Sequence, residues 1–382
     1  MRISPVDHLL FLLMRLLKAL DTRKNDLKYF DPNSVNRILV VSSTAIGDTL
    51  LSTPAIRAVR ERYPHAHIIA HFNIKNMELF ENNPHIDGII PYYGGYKKFL
   101  RTIREIRKYK FDLVLIFHGN EPQATPMAYL SGARFIIKLP NTSEYRFLLS
   151  NKEHVIQWQD FSHGVEQRLE VAKMAGCPAS DIRMVLPVAN EGITAVNRFL
   201  TQNGVEEGDV LVGFQVGAST LSRMWFPERF IELGKRLINA GDKIKILITG
   251  SPQEYTYCSE IAEAIGMNVL VSAGRMPLQF IPALLKRLRV LVTGDTGMMH
   301  MAIAVGTPVV ALFAVSDARR SGPYYDRGKH KIIQREKTCE PCISKKCTYQ
   351  RCMENISVDE VFRSAIDVIR NSVSTPLFEN SL

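Results

Sequence analysis

Short apolar runs alternate with longer amphipathic stretches along this chain of 382 residues. Short apolar runs bounded by Gly, Pro or polar residues are typical of strands that are buried on both faces of a parallel sheet. Stretches with apolar residues three and four positions apart predict the helices that cover such a sheet. In the first half, the predicted strands are 37–42, 67–72, 88–91 and 112–117, and the predicted helices are 49–62, 75–82, 97–109 and 163–174.

The second half repeats this alternation after a segment, Leu186–Glu191, that predicts a domain boundary. Its predicted strands are 210–216, 243–249, 268–272, 290–293 and 308–313, and its predicted helices are 192–202, 227–240, 254–265, 277–288 and 298–305. Two doubly wound α/β halves facing each other leave a central cleft, which is the expected place for a ligand. A last helix at 358–369 is predicted to return and brace the first half.

Composition and charge favour a globular protein with a polyanionic partner. Hydrophobic residues make up 46% of the chain, charged residues 23%, and the net charge is +10. Positive charge is concentrated in a first basic block, residues 97–110, and a second basic block, residues 319–346. Such blocks attract nucleic acid, anionic lipid head groups or phosphorylated glycolipid. A solvated surface that aids solubility is the alternative for each block.

Residues 5–20 predict an amphipathic helix that is too short to span a bilayer. Its charged residues fall within one arc of the helix, and Leu and Met fill the remainder. Two readings stay open: the helix lies in a membrane interface, or it packs against the protein's own body or a neighbouring subunit.

Six cysteines in this length, without a cleavable signal segment, indicate the reducing cytosol. Four of them are clustered as C-x2-C-x4-C-x4-C at Cys339, Cys342, Cys347 and Cys352. That density is sufficient to ligate zinc or an iron–sulfur cluster. Reduced thiols that pack a loop are the alternative, and the spacing does not decide between them.

Two polar segments follow predicted strands of the first half. The loop after the first strand, Ser43–Asp48, contains neither a GxGxxG fingerprint nor a Walker A sequence. It presents a Gly-Asp pair, Gly47 and Asp48, where open α/β sheets bind ligands. Asp48 either contacts a ligand or only caps the next helix. His118–Glu121 also follows a strand and could contact a ligand.

In the second half, three predicted strand ends carry chemistry that suits a nucleotide diphosphate. Ser219 and Arg223 follow one strand, Glu254 follows the next, and Asp295 begins a turn into a helix. A guanidinium and a helix N-terminus suit a diphosphate, and a carboxylate suits a ribose diol. The alternative for the last turn is that Asp295 or Thr296 simply caps its helix.

These segments resemble glycosyltransferase family 9, the ADP-heptose:lipopolysaccharide heptosyltransferases and their relatives. The resemblance covers roughly residues 37–370 and depends on three motifs: S-x3-GD-x5-P at 43–54, GA…R-x-W at 217–225, and DTG-x2-H-x-A-x-A-x-GTP at 295–308. It implies the GT-B fold, two Rossmann-like domains that bind the acceptor and the nucleotide-sugar donor.

The resemblance also implies roles for individual residues. Asp48 matches the proposed general base, with Gly47 beside it, and Arg223 matches a position, commonly Lys, that binds the donor diphosphate. The other donor-binding positions are Ser219, Glu254, Asp295, Thr296, Gly297, Met298 and His300. For His300, a buried histidine satisfied by the backbone is the alternative. Together with the pattern along the chain, the resemblance gives four predicted segments: an N-terminal amphipathic helix (1–30), an acceptor domain (31–190), a donor domain (191–355) and a C-terminal helix (356–382) that braces the acceptor domain.

The expected activity is inverting transfer of heptose from ADP-heptose to the lipopolysaccharide inner core. No Asp-x-Asp pair follows a predicted strand, so no metal is expected at the site, and Arg223 and the helix N-terminus are expected to meet the diphosphate charge. No cofactor is expected either. The expected partners are the donor and a glycolipid acceptor, with an anionic membrane surface but no nucleic acid, at the cytoplasmic face of the inner membrane. A transferase for another nucleotide sugar and a non-catalytic polyanion or nucleotide binder are the alternatives.

Overall fold

The computed structural model describes residues 5–340, 342 and 347–371. The chain divides into two compact units, Met1–Val185 and Leu186–Leu382. Each unit is built around one parallel sheet with helices packed on it.

The first unit has a five-stranded sheet in the order β3-β2-β1-β4-β5. Its strands are β1 (Arg37–Ser42), β2 (His67–Asn73), β3 (Gly88–Tyr92), β4 (Leu113–His118) and β5 (Phe135–Lys138). Its helices are α1 (Pro5–Ala19), α2 (Ile46–Arg62), α3 (Phe99–Lys108), α4 (Ala124–Leu130) and α5 (Gly164–Met174). All four strand pairings are parallel, and the central strand β1 is buried over its last five residues, as its apolar sequence RILVVS predicts.

The second unit has a six-stranded parallel sheet in the order β11-β10-β9-β6-β7-β8. Its strands are β6 (Val210–Gln215), β7 (Ile244–Thr249), β8 (Val269–Val271), β9 (Val290–Gly294), β10 (Val309–Phe313) and β11 (Lys331–Gln334). Its helices are α6 (Asn190–Gln202), α7 (Pro227–Asn239), α8 (Tyr255–Ile265), α9 (Ile281–Lys286), α10 (Gly297–Ala304), α11 (Ala318–Ser321) and α12 (Val358–Asn371).

Each sheet has a point where the strand order reverses direction. In the first unit this point lies between β1 and β4, and in the second unit it lies between β6 and β9. The loops that leave two such neighbouring strands go to opposite faces of the sheet and open a crevice at the carboxyl ends. The strand order therefore gives each unit one preferred place for a ligand.

Two predicted helices are shorter than their patterns indicate. Residues 75–82 form only a 3-10 turn, Met77–Phe80, because Asn82, Asn83 and Pro84 interrupt the stretch. Residues 277–288 begin with a 3-10 turn before α9. Strands β5 and β11, of four residues each, are not predicted.

The last helix packs within the second unit. The buried side chains of α12, which include Val361, Ala365 and Val368, belong to the same hydrophobic core as Leu233 and Leu237 of α7. This differs from the prediction that the C-terminal helix braces the first half. The apolar residues of α12 are spaced for one buried stripe, but that spacing does not specify which sheet the stripe covers.

Candidate functional site

The carboxylate of Asp48 lies at the reversal point of the first sheet. Helix α2 begins three residues earlier than predicted, with Ala45 at its N-cap, so Asp48 lies in the first helical turn and is not the cap. Its Oδ2 accepts a hydrogen bond from Thr44 Oγ1 at 2.9 Å. Its Oδ1 lies 3.5 Å from Nε2 of His118, the last residue of β4. Two strand ends thus converge on one carboxylate.

A buried guanidinium lies behind this carboxylate. Nη2 of Arg168 is 3.2 Å from Oδ1 of Asp48, and the Arg168 side chain is only 1% exposed. The rest of the guanidinium is held by neutral groups: Nη1 donates to the Gly164 carbonyl and to Gln167 Oε1, and Nε donates to Ser52 Oγ. The charge on Arg168 is therefore compensated mainly by Asp48.

Burial lowers the pKa of Arg168 from its usual range, and the negative charge of Asp48 opposes that shift. An arginine stays protonated in proteins even so, and the pair consists of two ions. The Asp48 side chain is 31% exposed, so its outer side is open to solvent. Its position in the first turn of α2 also favours a negative charge. The arrangement holds an oriented carboxylate that can accept a proton from a bound hydroxyl.

His118 is linked to the same group through Thr44. The Oγ1 of Thr44 lies 2.7 Å from His118 Nδ1 and donates its proton to Asp48. Nδ1 of His118 must then carry the hydrogen of that contact, because the hydroxyl has only one proton to donate. Thr44, His118 and Asp48 form one hydrogen-bonded group at the rim of the first sheet.

In the second unit, Arg223 and Asp295 meet where β6 and β9 end. A Cβ on Gly294 would lie 2.5 Å from the carbonyl oxygen of Arg223, so only glycine allows this close approach. Nη1 of Arg223 lies 3.5 Å from Oδ2 of the buried Asp295. Ser321 Oγ and His300 Nε2 lie 3.5 Å and 4.0 Å from Oδ1 of the same carboxylate. His300 is buried behind Asp295, and Arg223 is partly exposed at the rim.

Helix α10 presents its N-terminus at this rim. Thr296 occupies the N-cap position, but among the described residues its side chain makes no capping hydrogen bond and instead lies 3.1 Å from Thr293 Oγ1. The bonded cap of the alternative reading is thus not formed by Thr296. Gly297 and Met298 follow and are partly exposed. Amide groups in such a first turn suit an anion.

Glu254 lies beside the β6 loop. A Cβ on Gly217 would lie 1.8 Å from Oε1 of Glu254, so the carboxylate sits directly against the Gly217 backbone. Its Oε2 accepts hydrogen bonds from the backbone N–H and the hydroxyl of Ser251, at 2.7 and 2.8 Å. Glu254 therefore has a capping function of its own at the edge of the candidate donor site.

Trp225 anchors the loop that carries Arg223. The indole is buried and contacts Phe230 edge to face, and its Nε1 donates to the Ile356 carbonyl at 3.1 Å. A buried indole needs such a partner for its N–H. The Trp of the R-x-W motif thus fixes a segment whose Arg stays at the rim. Ser219, in the same segment, is exposed.

The structure groups the predicted residues into two sets, one in each unit. Gly47 is buried next to Asp48 in α2, and the second set comprises Ser219, Arg223, Glu254, Asp295, Thr296, Gly297, Met298 and His300 around the ends of β6, β7 and β9. Each set lies at the reversal point of its sheet. The roles implied by the resemblance stay predictions.

Arg168 and Thr44 were not singled out from the sequence. Thr44 lies in the predicted loop, where a hydroxyl carries no particular signal. Arg168 carries a weak sequence signal. It occupies the same face of α5 as the buried Val165 and Val171, where an apolar residue is expected. A charged residue at an inward position indicates a buried ionic partner.

All four clustered cysteines lie within the described residues, and they differ in burial. Cys339 is exposed, Cys342 and Cys347 are intermediate, and Cys352 is buried, with its Sγ 3.4 Å from Thr338 N and Oγ1. Across residues 5–340, 342 and 347–371, no group of three or more His, Cys, Asp or Glu side chains has an arrangement that could hold a metal ion. Lys345 and Lys346 of the second basic block lie outside the described residues.

Comparison with known proteins gives consistent matches. The sequence model of glycosyltransferase family 9 (heptosyltransferase) matches residues 99–353. Lipooligosaccharide heptosyltransferase 2 of Campylobacter jejuni is 22% identical over 347 residues, which cover 88% of this chain and 99% of that protein. The predicted fold is confirmed by two solved structures. A glycosyltransferase family 9 protein of Veillonella parvula has a TM-score of 0.74 and 22% identity, with 88% of this chain and 98% of that chain covered. The ADP-heptose lipopolysaccharide heptosyltransferase II of Escherichia coli has a TM-score of 0.73 and 21% identity, with 88% and 99% covered.

Proposed function

Because the chain belongs to glycosyltransferase family 9 and is therefore a glycosyltransferase, we propose that it moves a heptose from ADP-heptose to the lipopolysaccharide inner core. The activities of two similar proteins, lipooligosaccharide heptosyltransferase 2 and ADP-heptose lipopolysaccharide heptosyltransferase II, support this donor and acceptor. One observation carries the proposal. The set of residues around Asp48 and the set around Arg223 and Asp295 each lie at the reversal point of their sheet.

The second unit binds the donor in this proposal. The diphosphate lies against the N-terminus of α10 and accepts hydrogen bonds from amides of its first turn, such as Gly297 and Met298. Arg223 turns from Asp295 toward the phosphate oxygens, and its weak 3.5 Å contact with that carboxylate leaves it free to do so. Ser219 and Thr296 supply hydroxyls. Glu254 contacts the ribose through the part of its carboxylate that does not accept hydrogen bonds from Ser251.

The first unit supplies the base. Asp48 accepts the proton of the acceptor hydroxyl as that oxygen attacks the anomeric carbon of the heptose from the side opposite the leaving group. The attack inverts the anomeric configuration. Arg168 and Thr44 keep the carboxylate oriented before the acceptor binds. A base so placed contributes roughly 10²- to 10⁴-fold to the rate.

Negative charge builds on the diphosphate as the sugar–phosphate bond breaks. We propose that Arg223 and the α10 amides stabilise it without a metal ion. Each preorganised donor of this kind contributes on the order of 3 kcal/mol to lowering the barrier. The acceptor carries a lipid anchor, so the enzyme works as a peripheral protein on the cytoplasmic face of the inner membrane.

Two measurements test the proposal. A thermal-shift panel with ADP, UDP and GDP should give the largest stabilisation with ADP; a preference for UDP or GDP would assign a different nucleotide sugar. A transfer assay with ADP-heptose and heptose-deficient lipopolysaccharide should then show release of ADP that depends on the acceptor. Binding of ADP without any transfer to such acceptors would leave a nucleotide binder and reject the activity.

A further inference from the structure

One face of helix α1 is an uncovered apolar stripe. At about 100° per residue, the large aliphatic side chains of this stripe fall within an arc of about 120° that contains no charged residue. They are between 44% and 71% exposed. The stripe consists of Val6, Leu9, Leu12, Leu13, Leu16 and Leu20, the last of these just beyond the helix end. Few folds leave so many aliphatic side chains of one element in water, so this surface needs a partner.

The opposite face of α1 fixes the helix to the first unit. Leu10 and Met14 are buried in the core of that unit. The phenol of Tyr96 donates to the Asp7 carboxylate, and Phe11 contacts the Tyr145 ring edge to face. The helix is thus held by its inner side, and the stripe is presented outward without any rearrangement of the fold.

A group of positive charges lies next to the start of the stripe. The first basic block contributes seven exposed cations, and within the described part of the chain none of them forms an ion pair with a carboxylate. They are Lys97, Lys98, Arg101, Arg104, Arg107, Lys108 and Lys110. Val6 at the start of the stripe lines the same shallow groove as Lys98, Leu100 and Arg101, and Leu100 is itself 68% exposed. The apolar stripe and the basic block therefore meet in this groove, where Val6 lies beside Lys98 and Arg101.

We propose that this surface, the α1 stripe with the first basic block, docks the protein onto a bilayer that contains anionic phospholipid. The aliphatic side chains enter the boundary between head groups and acyl chains, and the cations of α3 and its preceding loop meet lipid phosphates. The 15 residues of α1 span about 22 Å, less than the roughly 30 Å of a hydrocarbon core, so the helix lies in the plane of the interface. No helix in the described residues has the length and apolar character needed to cross a membrane.

Charge favours lipid over a second copy of the chain. An isologous contact through the stripe would bring two blocks of seven like charges to one interface, and such juxtaposition is unfavourable. An anionic bilayer matches both components of the surface. The inference rests on the proposed function only for the role of the docking surface. That role is to hold the acceptor-binding unit beside a lipid-anchored sugar.

The test is co-sedimentation of the full chain with vesicles of phosphatidylcholine alone or mixed with phosphatidylglycerol, in the absence of any sugar donor. We expect binding to the mixed vesicles that weakens with salt. The double variant Leu9→Ser/Leu16→Ser should lower the partition coefficient by about tenfold or more. The double variant Arg101→Gln/Arg104→Gln should lower it by about 25-fold on mixed vesicles, because each cation near an anionic surface contributes roughly a factor of five.

Matched controls use exposed side chains of the second unit. Ile193→Ser/Met267→Ser removes two exposed aliphatic groups, and Arg198→Gln/Lys286→Gln removes two exposed cations. Neither should change vesicle binding. Equal binding by the α1 variant and the wild type would overturn the proposal.

Two further results separate the alternatives. A dimer in analytical ultracentrifugation that the Leu9→Ser/Leu16→Ser variant dissociates, without vesicle binding by the wild type, would assign the stripe to a second copy and overturn the proposal. Stabilisation by ADP is measured on the same samples. If ADP fails to bind while vesicle binding follows the expected pattern, the proposed function fails and the docking surface stands.

Discussion

Replacement of Asp48 by Asn tests the proposed base and its support together. The substitution keeps the size of the side chain and removes its charge. Arg168 then remains fully buried with neutral partners only among the described residues. Removing one partner of a buried ion pair costs about 3–5 kcal/mol of folding free energy. Because Asp48 is itself partly exposed to water, we expect the lower end, about 3 kcal/mol.

Asp48→Asn should lower both the midpoint of thermal unfolding and the transfer rate. For a unit of this size, each 1 kcal/mol shifts the midpoint by about 2–4 °C, so Asp48→Asn should lower the transition of the first unit by about 6–12 °C. The transfer rate, measured as ADP release at a temperature where the variant is folded, should fall by about 10²- to 10⁴-fold. The affinity for ADP, measured by calorimetry, should not change, because every proposed donor contact belongs to the second unit.

A second variant separates stability from chemistry. In Asp48→Asn/Arg168→Met the uncompensated charge is gone, and replacing a buried ion pair by apolar groups is often neutral for stability. This double variant should regain most of the lost midpoint and remain as inactive as Asp48→Asn. Transfer within tenfold of the wild type in either variant refutes the assignment of Asp48 as the base. Loss of activity together with loss of ADP affinity would indicate general unfolding instead.

Three further predictions concern the donor site and the core. Arg223→Ala should lower turnover by about 10²- to 10³-fold, with a smaller loss of ADP affinity, because the guanidinium acts chiefly on developing charge; steady-state kinetics with ADP-heptose show whether kcat carries the loss. Gly294→Ala forces a Cβ to within 2.5 Å of a backbone carbonyl and should raise the donor KM at a cost of about 1–3 kcal/mol in stability, whereas Gly328→Ala, with open space around its Cβ, should change neither. Complete burial lowers the pKa of His71 to about 4, so the unfolded chain binds a proton at pH 5 that the native state does not, and stability falls as the pH drops below about 6.5. Urea unfolding should give a loss of about 2 kcal/mol between pH 7.5 and 5 from this residue, and His71→Leu should lose correspondingly less.

Strand positions were the most predictable part of the fold. The segment 37–42 is predicted and observed with the same bounds, since a buried parallel strand is a nearly continuous apolar run with sharp polar limits. Helix starts were less accurate. Helix α2 begins at Ile46 and not at Thr49, because Ala45 at the cap carries none of the side chains that usually mark an N-terminus.

The candidate site was predictable where one motif holds it and not where distant residues meet. The turn around Gly294 and Thr296 is predictable from the local sequence, because the glycine spacing and the start of a helix specify its geometry. The contact between Asp48 and Arg168 joins residues 120 positions apart, and no local pattern encodes it. The partner of α12 was missed for the same reason: an amphipathic stripe specifies burial, but the choice of sheet depends on the whole unit.

The separation of Asp48 and Arg168 along the chain has a consequence during protein synthesis. The ribosome releases Asp48 long before it has made α5, and until that helix docks on α2 the carboxylate has no buried counter-charge to orient it. A nascent or truncated polypeptide that ends before Gly164 therefore contains the Asp48 carboxylate but not its buried guanidinium partner. Formation of the ion pair behind the proposed base is thus coupled to the docking of α5 on α2, a late step in the assembly of the first unit.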